Sequence, residues 1–141
     1  MNASEQIAAY MTKLASPKGS ELKELYQMIL TETGEPHLHF FDGKNKEGKV
    51  VANPTIGFGQ CRLSYANGQH QDTFRLGISA NSSGISIYII GLKDKIILQE
   101  KFGPRIGKAK ITGYCIRFKS LIEIDRTVLT EVFSFALKGL H

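Results

Sequence analysis

The chain has 141 residues, 42% of them hydrophobic and 22% charged, enough for one core in a single domain over residues 1–141 and too apolar for a disordered tract. No apolar run reaches the roughly 18 residues of a membrane span, and MNASEQIAAYMTKL lacks the basic-then-apolar layout of a secretory signal, so a cytosolic protein with no membrane partner is expected. The formal charge of +5 is unevenly placed: residues 101–120 hold six Lys or Arg and no Asp or Glu, so this stretch carries the whole excess.

Asn2, three residues ahead of Glu5, makes a capping-box pattern, and Ile7, Ala8, Met11 and Leu14 recur at helical spacing. A first helix is predicted from Ala3 to Leu14. After the break at Ala15-Ser16-Pro17, the stripe Leu22, Leu25, Tyr26, Ile29 and Leu30 predicts a second helix ended by Gly34. The apolar Leu38 to Phe41 then runs into DGKNKEGKV, whose Gly, Asn and Asp suit a hairpin-like turn.

From Thr55 the period changes to two. Cys61, Leu63 and Tyr65 share one side of a strand, while Ile56 and Phe58 fall with the opposite set, so a bulge or bend is expected around Gly57 and Gly59. Asn67-Gly68 signals a reversal into a strand in which Phe74, Leu76 and Ile78 alternate with Arg75, Gly77 and Ser79. A turn over Asn81 to Gly84 leads to Ile85, Ile87 and Ile89, completing a three-stranded antiparallel meander. Leu92 to Phe102 reads as a short helix closed by Gly103-Pro104. Tyr114, Ile116 and Phe118 then alternate with Cys115, Arg117 and Lys119 as a further strand. Asp125 caps a last helix with the stripe Val128, Leu129, Val132, Phe133, Ala136 and Leu137.

These elements predict an α+β fold of two layers: a mainly antiparallel sheet of about five strands, with the N-terminal helical pair and the C-terminal helices packed on one face. The other face is then polar. Arg62, Arg75, Tyr88, Arg117 and Lys119 are expected to project from it, with Arg105, Lys108 and Lys110 in the adjoining loop. Clustered cations attract phosphate and carboxylate, and a tyrosine offers a stacking surface, so these eight residues form the expected anion-binding set. A basic face that is merely solvated has the same sequence pattern.

Other chemistry is poorly supported. GPRIGKA lacks the phosphate-loop spacing and its Ser/Thr, and GFG lacks the third glycine of a dinucleotide fold. Lysines stand where a calcium loop at Asp42 needs oxygens. His37 and His39 share a strand side near Asp42 without a third ligand, and His70 and His141 do not complete a site. No Cys or Ser is matched with a base, and Glu123 and Asp125 at a helix start are explained by capping. Cys61 and Cys115, far apart and outside any CxxC, are expected to be reduced and packed.

The succession NPTIGFG, YANG, FRLGISANSSGISIYI and IGKAKITGYCIRFKSLIEIDRTVL resembles the YdhG-like family of small domains of unknown function, over roughly residues 1 to 138. Its most specific part is Gly107-Lys108-x-Lys110 followed by Cys115-Ile116-x-Phe118-Lys119, Leu121, Ile124-Asp125 and Val128-Leu129. The resemblance implies helices packed on a mainly antiparallel sheet. For some relatives it also implies a frataxin-like intracellular iron chaperone, with iron as cargo on exposed oxygen ligands. The acids Glu21 and Glu24, and Glu32 and Glu35, share helix faces by spacing, yet the signature region itself is cationic. The expectation is therefore a non-enzymatic binding protein for an anionic small molecule, nucleic acid or acidic protein surface, without a resident cofactor, and iron handling is the alternative.

Overall fold

The computed structural model describes residues 2–15, 17–34, 37–92 and 94–138; Ser16, Glu35, His141 and the side chain of Leu63 lie outside that description. Helix α1 spans Ala3–Lys13, and its first turn is closed by Asn2 Oδ1, which accepts from the Glu5 N–H at 2.9 Å. Helix α2 spans Lys18–Thr33 and ends where the Gly34 N–H donates to the Leu30 carbonyl. Its stripe is buried at Leu22, Leu25, Tyr26 and Ile29, and Leu30 packs against the core while partly exposed.

Strands β1 (Leu38–Phe41), β2 (Thr55–Phe58), β5 (Leu76–Asn81), β6 (Gly84–Ile89), β7 (Lys110–Ile111) and β8 (Cys115–Phe118) form one sheet in the order β1-β2-β5-β6-β8-β7, with every neighbouring pair antiparallel. Strands β3 (Cys61–Ser64) and β4 (His70–Thr73) make a separate two-stranded sheet. The expected meander is thus interrupted. Phe58 pairs with Leu76 and Cys61 with Thr73, the same register three residues further along each strand, so both pieces belong to one long ribbon with a kink between them. The kink falls at Gly59, whose φ of 78° is open chiefly to glycine. Gly57, by contrast, is a regular strand residue paired with both His39 and Gly77.

One face of the sheet is apolar because the strand period is two. Ile56, Phe58, Leu76, Ile78, Ile85, Ile87, Ile89, Ile116 and Phe118 all point to it, and α1, α2, α3 (Ile97–Ile106) and α4 (Arg126–Lys138) cover it. Helix α3 is not closed by Gly103-Pro104 as its sequence predicts; it runs through them to Ile106. Pro104 forfeits the bond to the Glu100 carbonyl, a cost of about 3 kcal/mol in a helix interior. Burying Leu98, Phe102 and Ile106 at four-residue intervals contributes about 2 kcal/mol each, which outweighs it. Asp125 caps α4 as expected, accepting from the Thr127 and Val128 N–H groups at 2.9 and 3.1 Å.

Phe74 departs from its expected place in the core. A side-chain carbon at Gly57 or Gly77 would lie 2.9 or 2.5 Å from the Phe74 ring, and those two glycines face away from the helices. The ring therefore lies on the uncovered face, filling the trough that the paired glycines leave, and Phe41 packs on it at 5.6 Å.

Candidate functional site on the open sheet face

The face opposite the helices carries the alternate residues of the strands: His39 and Phe41 on β1, Gly77, Ser79 and Asn81 on β5, Ser86 and Tyr88 on β6, Cys115 and Arg117 on β8, and Lys110 on β7. At its β1 end, His39 stacks on Phe41 and donates from Nε2 to the Gly59 carbonyl at 2.7 Å, so its ring is engaged within the fold. In the middle, the Ser79 hydroxyl donates to the Pro54 carbonyl at 2.7 Å, which brings the 53–54 segment down over β5. That segment walls off a groove at the other end.

The groove has a volume of about 410 Å³, with Asn53 on one side, the Asn81 to Ser83 turn at one end, and Tyr88, Thr112 and Tyr114 at the other. Ser86, Cys115 and Arg117 form its base and flank. A smaller hollow of about 180 Å³ adjoins it, shares Asn81, Ser86 and Arg117, and is edged by Lys110 and Lys119. Lys110 and Arg117 are directly opposite one another in the β7–β8 pair, and Ser86 is opposite Arg117 across β6–β8. The Asn81 amide donates to Ser86 Oγ at 3.1 Å and its carbonyl oxygen accepts from the Ser83 N–H, so the polar turn is fixed before any ligand arrives. Burial pushes the Cys115 thiol above its ordinary pKa, and hydrogen bonding to Arg117 and Ser86 offsets part of that rise. The thiol is protonated at neutral pH. The groove's fixed charge is cationic.

The eight expected anion-binding residues do not assemble as one set. Tyr88, Lys110, Arg117 and Lys119 come together at this end of the sheet. Arg62 is on β3 of the separate two-stranded sheet, because the strand that was to carry it leaves the main sheet at Gly59. Arg75 sits at the kink, its Cβ near Gly59, which in turn abuts Leu137 of α4. Arg105 is on the helical layer, since α3 continues past Pro104; it grips Glu131 of α4 with two bonds of 3.0 Å. Lys108 is 3.5 Å from the Glu123 carboxylate. Lys101 of the same run lies over the rings of Phe102 and Phe135. Among the described residues, Lys110, Arg117 and Lys119 have no ion-pair partner.

Tyr114 is the residue that the sequence pattern misplaces most. Alternation puts it with Ile116 and Phe118 in the core, but β8 starts only at Cys115 and Tyr114 belongs to the turn, where the Thr112 N–H donates to the Cys115 carbonyl at 2.9 Å. The residue is 55% exposed, and its ring stacks on Tyr88 with centroids 6.3 Å apart. The Gly113 beside it was the available signal for a break in the pattern.

Two of the acids considered as oxygen ligands, Glu21 and Glu24, are used within the fold. Glu21 accepts from the Leu121 N–H and Ser120 hydroxyl and ties α2 to the segment between β8 and α4, and Glu24 pairs with Arg126 at the start of α4. Among the described residues, no group of three or more His, Cys, Asp or Glu is placed to hold a metal ion, and no helix is long and apolar enough to cross a membrane. Comparison of the chain with family models, curated proteins and solved structures gave no match.

Proposed function

We propose that this chain is a non-enzymatic, cytosolic binding domain that holds an anionic ligand at the β6–β8–β7 end of its open sheet face. The observation that carries this reading is the convergence of Lys110, Arg117 and Lys119 on two adjoining hollows that share Arg117, the larger of them polar, while the other cations of the same run are paired with acids or aromatic rings. An anion there meets charge that the fold has not already neutralised. Serine and asparagine groups around it supply hydrogen bonds without adding negative charge, and partial enclosure strengthens each ionic contact relative to open solvent.

The test is a titration of the isotope-labelled chain with a short mixed-sequence oligonucleotide at low and near-physiological salt. Saturable amide shifts around residues 81–88 and 110–119, weakened by salt and abolished in Lys110→Glu/Arg117→Glu, are expected. Unchanged affinity in that double variant rules the surface out.

Membership of the YdhG-like family is also a proposal, supported by the quoted motifs and by an α+β arrangement of the kind that membership implies. The iron-cargo alternative draws on the resemblance alone, because Glu21 and Glu24 are already bonded within the fold. Stoichiometric anaerobic Fe(II) binding that weakens when Glu21, Glu24, Glu32 and Glu35 are neutralised would favour it over the anion site.

A further inference from the structure

We infer that the ligand is a nucleotide unit, with its base stacked at Tyr114 and its phosphate held by Arg117 and Lys110. This rests on the anion-binding reading and adds the uncharged half of the ligand. Tyr114 is a wall common to two hollows. On one side is the polar groove; on the other is a mainly apolar hollow of about 540 Å³ formed with Ile89, Ile90, Leu92 and Gly113. A ligand that suits the pair has a flat body with apolar faces and an anionic end. Inorganic phosphate lacks the body, and an acidic peptide side chain lacks the flat ring.

The spacing agrees. Tyr114 immediately precedes Cys115, and Arg117 is two residues beyond it on the open face, about 10 Å from Tyr114 at the strand rise, a gap that the reach of the arginine side chain shortens. One sugar bridges such a gap between a stacked base and its phosphate. Tyr88 backs the exposed Tyr114 ring, which holds it as a platform. Asn53 and Thr112 line the same groove and make no side-chain hydrogen bonds among the described residues, so their amide and hydroxyl groups are available to sugar hydroxyls or a base edge.

The experiment is an amide and aromatic-proton NMR titration of the full chain with AMP, adenosine and inorganic phosphate in parallel at low salt. AMP is expected to bind at least about tenfold more tightly than either fragment, with upfield shifts of its base protons. Tyr114→Leu should weaken AMP at least about fivefold and leave phosphate unchanged, while Tyr114→Phe keeps AMP binding. Arg117→Gln should weaken AMP and phosphate together. Equal binding of AMP and phosphate, or indifference of AMP to Tyr114→Leu, overturns the nucleotide inference and leaves the anion site standing. Absence of binding by AMP and phosphate alike overturns both. A six-nucleotide single strand that outcompetes AMP at the same residues assigns the unit to a chain, and the reverse order assigns it to the free nucleotide.

Discussion

Residues 101–108 and 110–119 hold three cations each, yet the fold uses them in opposite ways. In the first half, Lys101, Arg105 and Lys108 lie along α3 and its exit and meet the Phe102 and Phe135 rings, Glu131 and Glu123. In the second half, Lys110, Arg117 and Lys119 edge two adjoining hollows whose shared lining includes serine and asparagine and which hold no acid. The boundary is Gly107. There the chain leaves the helix with φ at 108°, bridges to Ile124, and passes so near Glu123 that a side-chain carbon would be 2.3 Å from its carbonyl oxygen. A run of like charge in sequence is therefore not a surface: period 3.6 and period 2 send its members to opposite sides of the molecule.

The largest effect that tests this contrast is on the scaffold. Phe102 is fully buried in the first half, and Phe102→Ala should lower unfolding free energy by about 3–5 kcal/mol in urea. A loss below about 1 kcal/mol would break the assignment of that half to the core layer. Gly107→Ala combines a backbone angle unfavourable to alanine with a backbone clash, and should cost about 2–3 kcal/mol by the same measurement. In the second half the order reverses: Lys110→Glu/Arg117→Glu should leave the urea midpoint in place while weakening anion binding by at least about tenfold, read by amide shifts.

The smallest effect concerns Arg105. Its two bonds to Glu131, aided by its charge, hold that carboxyl below the usual carboxylate range. Because the folded value is depressed, the pair's contribution to stability is present above the unfolded Glu pKa and is lost as pH falls through the folded one. Arg105→Gln should raise the Glu131 titration toward the ordinary range, followed by carbon-13 carboxyl shifts, and should leave anion binding unaltered. A change in anion affinity would move Arg105 back into the site.

Helices α1, α2 and α4 and the central strands were legible in the sequence because their signals are local. Asn2 and Asp125 announce their caps, and the alternating isoleucines of β6 settle which face is buried. The site was legible only in part. Tyr88, Lys110, Arg117 and Lys119 follow from strand alternation, but Arg62 and Phe74 depend on the kink at Gly59, where the ribbon leaves the main sheet and the side-chain parity resets. Alternation alone does not say at which residue the ribbon kinks, and the side chains beyond the kink take their faces from it. Tyr114 was missed for the related reason that a turn begins one residue before the alternation resumes. Arg105 was misplaced because Pro104 looks like a stop, whereas three buried side chains carry α3 past it.

The most direct test of the contrast is an amide-shift map of the labelled chain titrated with pyrophosphate at low salt. Saturable shifts confined to residues 81–88 and 110–119, with 101–108 unmoved, are the predicted result. Shifts centred on residues 101–108, or none that saturate, would contradict the placement of an anion site on the open face.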